Sequence, residues 1–397
     1  MGPLTVAFVC YEAFLNGGIS IYARELVGRL GSAGHRVVLF APPPRSETDF
    51  HFPPNVRWEP VRVPRLPLTS AVAFAARIPS AVRRFEKKYG RFDVLHSSTY
   101  STALLPRFMT KSVRVTTIYH LGTSAANSMS LGFVHRVRHP SAEYGPAVIL
   151  EGLALRRANH LIAISEFTRS DILKKYSNIE ASRISVIYLG ATSRRAIAPS
   201  GETERLYDLW GIRRDEKVLI CVGRLEERKG IRFLLAAFGI LSHDVHVKLV
   251  FVGAGDPRAY HEYARSLNIE DRVVFAGRVD EPTLNAAYGL ATALVHPSVM
   301  EGFGLAIADA VASGIPVVAT RVGAVPEIVR DGIDGRLVRY GDASALADAI
   351  AEILDFHNES RSERGNASTR FSWERTARET MSLYERLVAG TSSGVET

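Results

Sequence analysis

Three places in this 397-residue chain combine residue types that can do chemistry. Arg224 and Lys229, with Gly230 directly after, follow the apolar run that opens at Lys217 (KVLICV). Two fixed cations beside a glycine suit a diphosphate, because the charges neutralise it while backbone amides come close. A solvated charge run is the plainer alternative. Glu301-Gly302-Phe303-Gly304 precedes Leu305 to Ser313, which reads as a helix whose first amides could hold a phosphate or a hydroxyl. Gly17-Gly18 follows the first apolar run, Leu4 to Cys10, and lets a ligand approach the backbone, although a glycine pair also makes an ordinary turn. Metal chemistry has little to stand on. The chain holds no Asp-x-Asp, and His135 and His139 in HRVRH lack the acidic neighbour of His-Glu-x-x-His, so they read as part of a basic loop.

Such groups need elements to carry them. Leu4 to Cys10 reads as a strand, Ile19 to Leu30 has helical spacing, and Val37 to Phe40 is strand again, so the chain opens with a β-loop-α-β unit and parallel pairing. Further strands are expected at Val94 to His96, Val113 to Tyr119, Leu161 to Ile164 and Ile184 to Tyr188, with a helix over Phe167 to Tyr176. A second series starts at Lys217, with strands at Val247 to Val252, Val273 to Ala276, Ala293 to His296 and Val317 to Thr320. Helices over Ile231 to Leu241 and Pro257 to Leu267 separate the first of these. Two doubly wound α/β domains in tandem are expected, joined by a polar linker over Thr192 to Thr203. Phe371 to Leu387 closes the chain as an amphipathic helix, followed by a tail from residue 389.

Composition sets the limits. With 46% apolar and 23% charged residues, the chain is an ordinary globular protein rather than a disordered one. At roughly 150 residues per domain the length suits two or three domains. Cys10 and Cys221 both lie in apolar runs and read as small core residues in a reducing compartment. No apolar run reaches the ~18 residues of a bilayer span, and no signal peptide is evident at the N-terminus. A cytoplasmic protein is expected, resting at most on a membrane surface. The net charge of +8 is uneven: residues 1–195 carry 26 Lys/Arg against 12 Asp/Glu, while residues 196–397 carry 23 against 29. The first half is therefore suited to an anionic partner or surface. Within it, Ala71, Phe74, Ala75, Ile78, Val82, Phe85 and Tyr89 fall at helical spacing, with Arg77, Arg83, Arg84, Lys87 and Lys88 between them. A basic amphipathic helix of this kind can lie on an anionic membrane, although Pro79 interrupts it and an ordinary packed helix also accounts for it. No nucleic-acid motif is present.

The motifs are more telling together. The Gly-Gly pair, GRLEERKG (Gly223 to Gly230), FVGAGD (Phe251 to Asp256), HPSVMEGFGLAIADAVASGIPVVAT (His296 to Thr320) and VPEIVRDGIDGRLV (Val325 to Val338) resemble, in order and spacing, the retaining GT-B glycosyltransferases of glycosyltransferase family 4. This resemblance implies two Rossmann-like domains facing a cleft. Residues 1–195 would bind the acceptor, residues 196–370 the nucleotide-sugar donor, and residues 371–388 would form a helix crossing back to the first domain, before a tail at 389–397.

Residue by residue, the resemblance implies that Arg224 and Lys229 neutralise the diphosphate. Glu301 would stand beside the sugar as the first acid of the Glu-x7-Glu motif, and Gly302, Phe303 and Gly304 would offer backbone amides. The strand end at Gly277 to Val279 would grip the base, Gly17 and Gly18 would lie under the diphosphate, and His120 would touch the donor sugar. Asp309 takes the place of the second acid, which holds the ribose, and is one methylene shorter. The implied reaction moves a hexose from a UDP- or GDP-sugar, GDP-mannose included, to a glycan, lipid-linked or small-molecule acceptor, with retention and without a metal or other cofactor. A sugar-nucleotide epimerase or phosphorylase of the same fold is the alternative.

Overall fold

The computed structural model describes residues 2–15, 17–44, 51–64, 69–121, 140–199, 201–241, 246–355 and 370–392. Apolar runs of this kind, bounded by glycines and polar turns, form strands buried on both faces of a parallel sheet. The chain divides into two units, Met1–Gly190 with Trp373–Thr397, and Ala191–Ser372.

The first unit holds seven strands: β1 (Thr5–Val9), β2 (Arg36–Ala41), β3 (Val56–Pro60), β4 (Val94–Ser98), β5 (Val113–Ile118), β6 (His160–Ala163) and β7 (Ile184–Val186). Their order is β3-β2-β1-β4-β5-β6-β7, every pair parallel. Strand β3 is absent from the sequence reading. It lies at the sheet edge with Arg57, Trp58 and Pro60 exposed, so it presents no apolar run to find. The order reverses between β1 and β4, and the connections leaving those two strands run in opposite directions, which leaves room beyond their carboxyl ends.

The helix Thr69–Tyr89 settles the basic amphipathic stretch. Phe74, Ile78, Val82 and Phe85 are buried against Val9, Phe40 and Leu95 of the unit's own core. Its apolar face is thereby spent, and Arg77, Arg83, Arg84, Lys87 and Lys88 face solvent. The last helix, Trp373–Ser392, packs on the helix Gly18–Ser32 within the same unit. Arg29 Nη2 meets Glu374 at 2.8 Å, Thr376 Oγ1 donates to Tyr188 O at 2.8 Å, and the Tyr384 hydroxyl bonds the buried His96.

The second unit holds β8 (Lys217–Val222), β9 (Val247–Val252), β10 (Val273–Gly277), β11 (Ala293–His296), β12 (Val317–Thr320) and β13 (Gly335–Val338), ordered β10-β9-β8-β11-β12-β13 and again parallel. Leu219, Cys221, Leu234, Phe238, Leu249, Phe251 and Ile350 form its main core. Here the order reverses between β8 and β11. Among the described residues, no helix is long and apolar enough to cross a membrane.

The segment expected as a plain linker is built differently. Arg194–Ile197 forms a 3-10 turn and Glu202–Leu209 a helix, and Arg194 is buried. A guanidinium taken out of water must find acids, and it finds them in its own unit.

Candidate functional site

Lys229 and Glu301 come from the two strands that flank the reversal in the second sheet. Lys229 ends the 3-10 turn Glu227–Lys229 after β8, and Glu301 lies in the loop after β11. Two close backbone approaches fix these loops. Gly230 has φ +69°, and a Cβ there would lie 2.0 Å from Pro297 O, so the Lys229 turn rests directly on the β11 loop. Gly323, at φ +53°, is placed the same way against Glu301 O. Val299 N–H donates to Arg228 O at 2.9 Å and Ala324 N–H to Glu301 O at 3.0 Å.

Three donors converge on one carboxylate oxygen. Glu301 Oε1 pairs with Lys229 Nζ and accepts from His296 Nε2 and Ser298 Oγ, each at 2.8 Å. Burial alone would push this carboxyl up. The Lys229 charge and the His296 hydrogen bond outweigh it and hold Glu301 well below the usual carboxylate range. Burial lowers the His296 pKa despite the pull of Glu301. A neutral imidazole that donates through Nε2 leaves Nδ1 unprotonated, and that atom has no hydrogen-bond partner among the described residues. Lys229 is 13% exposed and therefore reachable. The arrangement is an ionised acid and a cation held side by side at the end of a parallel sheet, able to meet a hydroxyl and a phosphate oxygen respectively.

The other expected residues fall less closely together. Arg224 is 67% exposed, and its Nη2 pairs at 2.5 Å with Glu226, which also holds Arg228. A guanidinium has five N–H donors, so Arg224 can hold Glu226 through Nη2 and still present others to an anion. Gly302, Phe303 and Gly304 lead into the helix Leu305–Ala312, with Phe303 buried edge-on against Phe371. Val279 is half-buried two residues beyond β10. Asp309, on that same helix, is buried, with Oδ1 accepting from Thr192 N–H at 2.8 Å and Oδ2 from Arg194 Nε at 2.6 Å. Arg194 also reaches Glu281 at 2.7 Å and Asn285 at 3.1 Å. In the first unit, Gly17 and Gly18 open the helix Gly18–Ser32, and His120 is exposed just after β5. His135 and His139 lie outside the described residues. Among those described, no three His, Cys, Asp or Glu side chains are grouped to hold a metal ion.

Sequence reasoning did not single out His296, Ser298 or Arg194. For the first two a signal existed: a histidine ending an apolar strand five residues before Glu301. For Arg194 there was none, since its acids lie 87 and 115 residues away.

Solved structures share this architecture over nearly the whole chain. Sucrose-phosphate synthase from Thermosynechococcus elongatus superposes with a TM-score of 0.80 at 24% identity, covering 98% of this chain and 100% of the other. Anabaena HepE, crystallised with UDP-glucose, gives a TM-score of 0.72 at 19% identity over 99% and 100%. Two Rossmann-like units with these neighbours define the GT-B fold. Residues 16–195 match Glycosyltransferase Family 4, and residues 216–355 match the glycosyl transferases group 1. The D-inositol 3-phosphate glycosyltransferase of Corynebacterium aurimucosum is 30% identical over 80% of this chain and 76% of its own. The chain belongs to glycosyltransferase family 4.

Proposed function

We propose that this glycosyltransferase moves a hexose from a nucleoside-diphosphate sugar, UDP-glucose or a related UDP- or GDP-sugar, to a hydroxyl acceptor with retention and without a metal. The observation that carries the reading is the Lys229–Glu301 pair at the sheet reversal. Lys229, joined by Arg224, would meet the charge that builds on the β-phosphate as the anomeric bond breaks. Glu301, fixed through Oε1, would turn its carboxylate toward the sugar hydroxyls, and the amides of Gly302 to Gly304 would add donors. The acceptor oxygen attacks C1 on the face the diphosphate leaves, and its proton passes to the departing phosphate. Leaving-group charge is then met by protein cations, which removes the need for a chelated ion.

HepE, seen with UDP-glucose, supports a UDP-sugar as donor, and the inositol phosphate glycosyltransferase supports a small polyol phosphate as acceptor. The exposed cations of the helix Thr69–Tyr89 would hold the enzyme to an anionic lipid surface by charge alone. The test is nucleoside diphosphate release from UDP-glucose, UDP-galactose and GDP-mannose, with and without acceptor and with EDTA. Release that depends on an acceptor and survives EDTA is expected. Sugar interconversion without an acceptor, or activity restored only by a divalent ion, contradicts the proposal.

A further inference from the structure

The amino ends of β5 and β6 gather cations that no acid meets. Arg107 opens the 3-10 turn Arg107–Met109 that leads into β5, Arg114 is the second residue of β5, and Arg157 ends the helix Pro140–Arg157 just before β6. Parallel neighbours start at one edge of a sheet, so the three lie at the end away from Gly17, Gly18 and His120.

Arg114 is 5% exposed. Its Nη1 donates to Leu105 O at 2.8 Å and its Nη2 to Pro106 O, while Arg157 Nη1 donates to Ala103 O and Arg107 Nη2 to Arg156 O. Every one of these acceptors is a backbone carbonyl, and among the described residues none of the three arginines is in an ion pair. The acids at this end are engaged elsewhere: Glu86 accepts from Thr110 Oγ1 at 3.0 Å and Asp93 from Thr5 N–H at 2.7 Å. Burial, and then the like charges of Arg107 and Arg157, bring the Arg114 pKa down to about 10.

A buried guanidinium is ordinarily matched by an acid, as Arg194 is by Asp309 in the second unit. Here three gather around one turn with carbonyl dipoles alone, which leaves a fixed excess of positive charge. Arg107 is exposed and Arg157 half-buried, each with N–H groups beyond the one its carbonyl takes, and Arg114 adds its charge from within. Planar forks of this kind match phosphate oxygens.

We infer that Arg107 and Arg157, backed by Arg114, bind a phosphate group at the amino end of the first sheet. Its carrier is a soluble phosphate ester or a lipid headgroup. Phe108, directly after Arg107 and 89% exposed, bears on the second source alone, since a ring beside a headgroup meets acyl chains.

The test is isothermal titration of the full chain with inorganic phosphate and glycerol 3-phosphate, and co-sedimentation with vesicles holding phosphatidic acid or, at equal surface charge, phosphatidylserine. Binding of a soluble phosphate, or a preference for phosphatidic acid, is expected, about tenfold weaker in Arg107→Gln and in Arg157→Gln, as loss of a charge-assisted hydrogen bond requires. Arg265→Gln, which removes an exposed cation of the second unit, is expected to change nothing. Phosphate binding in solution assigns the soluble ester; preference for phosphatidic acid alone, weakened by Phe108→Ser, assigns the headgroup. Neither binding nor preference, or equal loss in Arg107→Gln and Arg265→Gln, overturns the inference. If Arg157→Gln does not fold, unchanged affinity in Arg107→Gln overturns it. Phosphate held at the donor site is told apart by Lys229→Ala: binding that vanishes there and persists in Arg107→Gln also overturns it.

Discussion

Arg194 Nε donates to Asp309 Oδ2 at 2.6 Å, and both side chains are buried. Burial works against the guanidinium charge, yet Asp309 and Glu281 hold its pKa above the ordinary value. The shortened acid of the family motif thus anchors the turn that follows the first unit. Asp309→Ala leaves the cation with Asn285 and with Glu281, an acid that is largely exposed. Equilibrium denaturation is expected to show a loss of about 3 kcal/mol, the usual consequence of unpairing a buried charge. A loss under about 0.5 kcal/mol, typical of a surface change, would mean the pair does not anchor the turn.

Lys229→Ala removes the cation paired with Glu301. Turnover is expected to fall at least about tenfold, and toward a hundredfold if leaving-group stabilisation limits the rate. Steady-state kinetics on a variant with wild-type circular dichroism checks this. Near wild-type turnover would take Lys229 out of the site.

His296 donates to Glu301 at 2.8 Å, so His296→Asn, which keeps a donor, is expected to retain more activity than His296→Phe. The difference should appear in kcat more than in KM, because what changes is the fixed direction of Glu301. Equal damage by both variants would argue for a packing role alone.

His96 lies between Tyr384 and Thr117, and burial pushes its pKa down to about 3. The unfolded chain takes up a proton near pH 6.5 while the folded protein does not. The unfolded state therefore gains protons as pH falls, and stability drops between about pH 6.5 and 3. Between pH 6.5 and 5 this group alone should cost about 2 kcal/mol. Urea denaturation at the two values should show a shallower pH dependence for His96→Gln; an unchanged slope would exclude His96 as its source.

Arg83→Glu with Arg84→Glu reverses two charges on the cationic face of Thr69–Tyr89. Co-sedimentation with vesicles containing phosphatidylglycerol is expected to fall sharply in this variant and, for the wild type, to weaken with added salt. Binding insensitive to salt would point to apolar insertion, which the packed face of this helix does not provide.

Much of this was legible in the amino-acid order. Strand cores such as Val37–Phe40 are buried on both faces and read as unbroken apolar runs, and Lys229 and Glu301 stand beside the glycines that mark their loops. The edge strands β3 and β13 were not, because one side faces solvent and their composition follows it. The two doubly wound sheets follow from local pattern, in which each residue's neighbours in sequence carry the signal. What tertiary structure alone decided is pairing across distance: Lys229 brought to the carboxylate of Glu301, and Asp309 committed to Arg194. Charge pairing depends on separations of a few ångströms between residues up to 115 positions apart, and local periodicity carries no information on that scale.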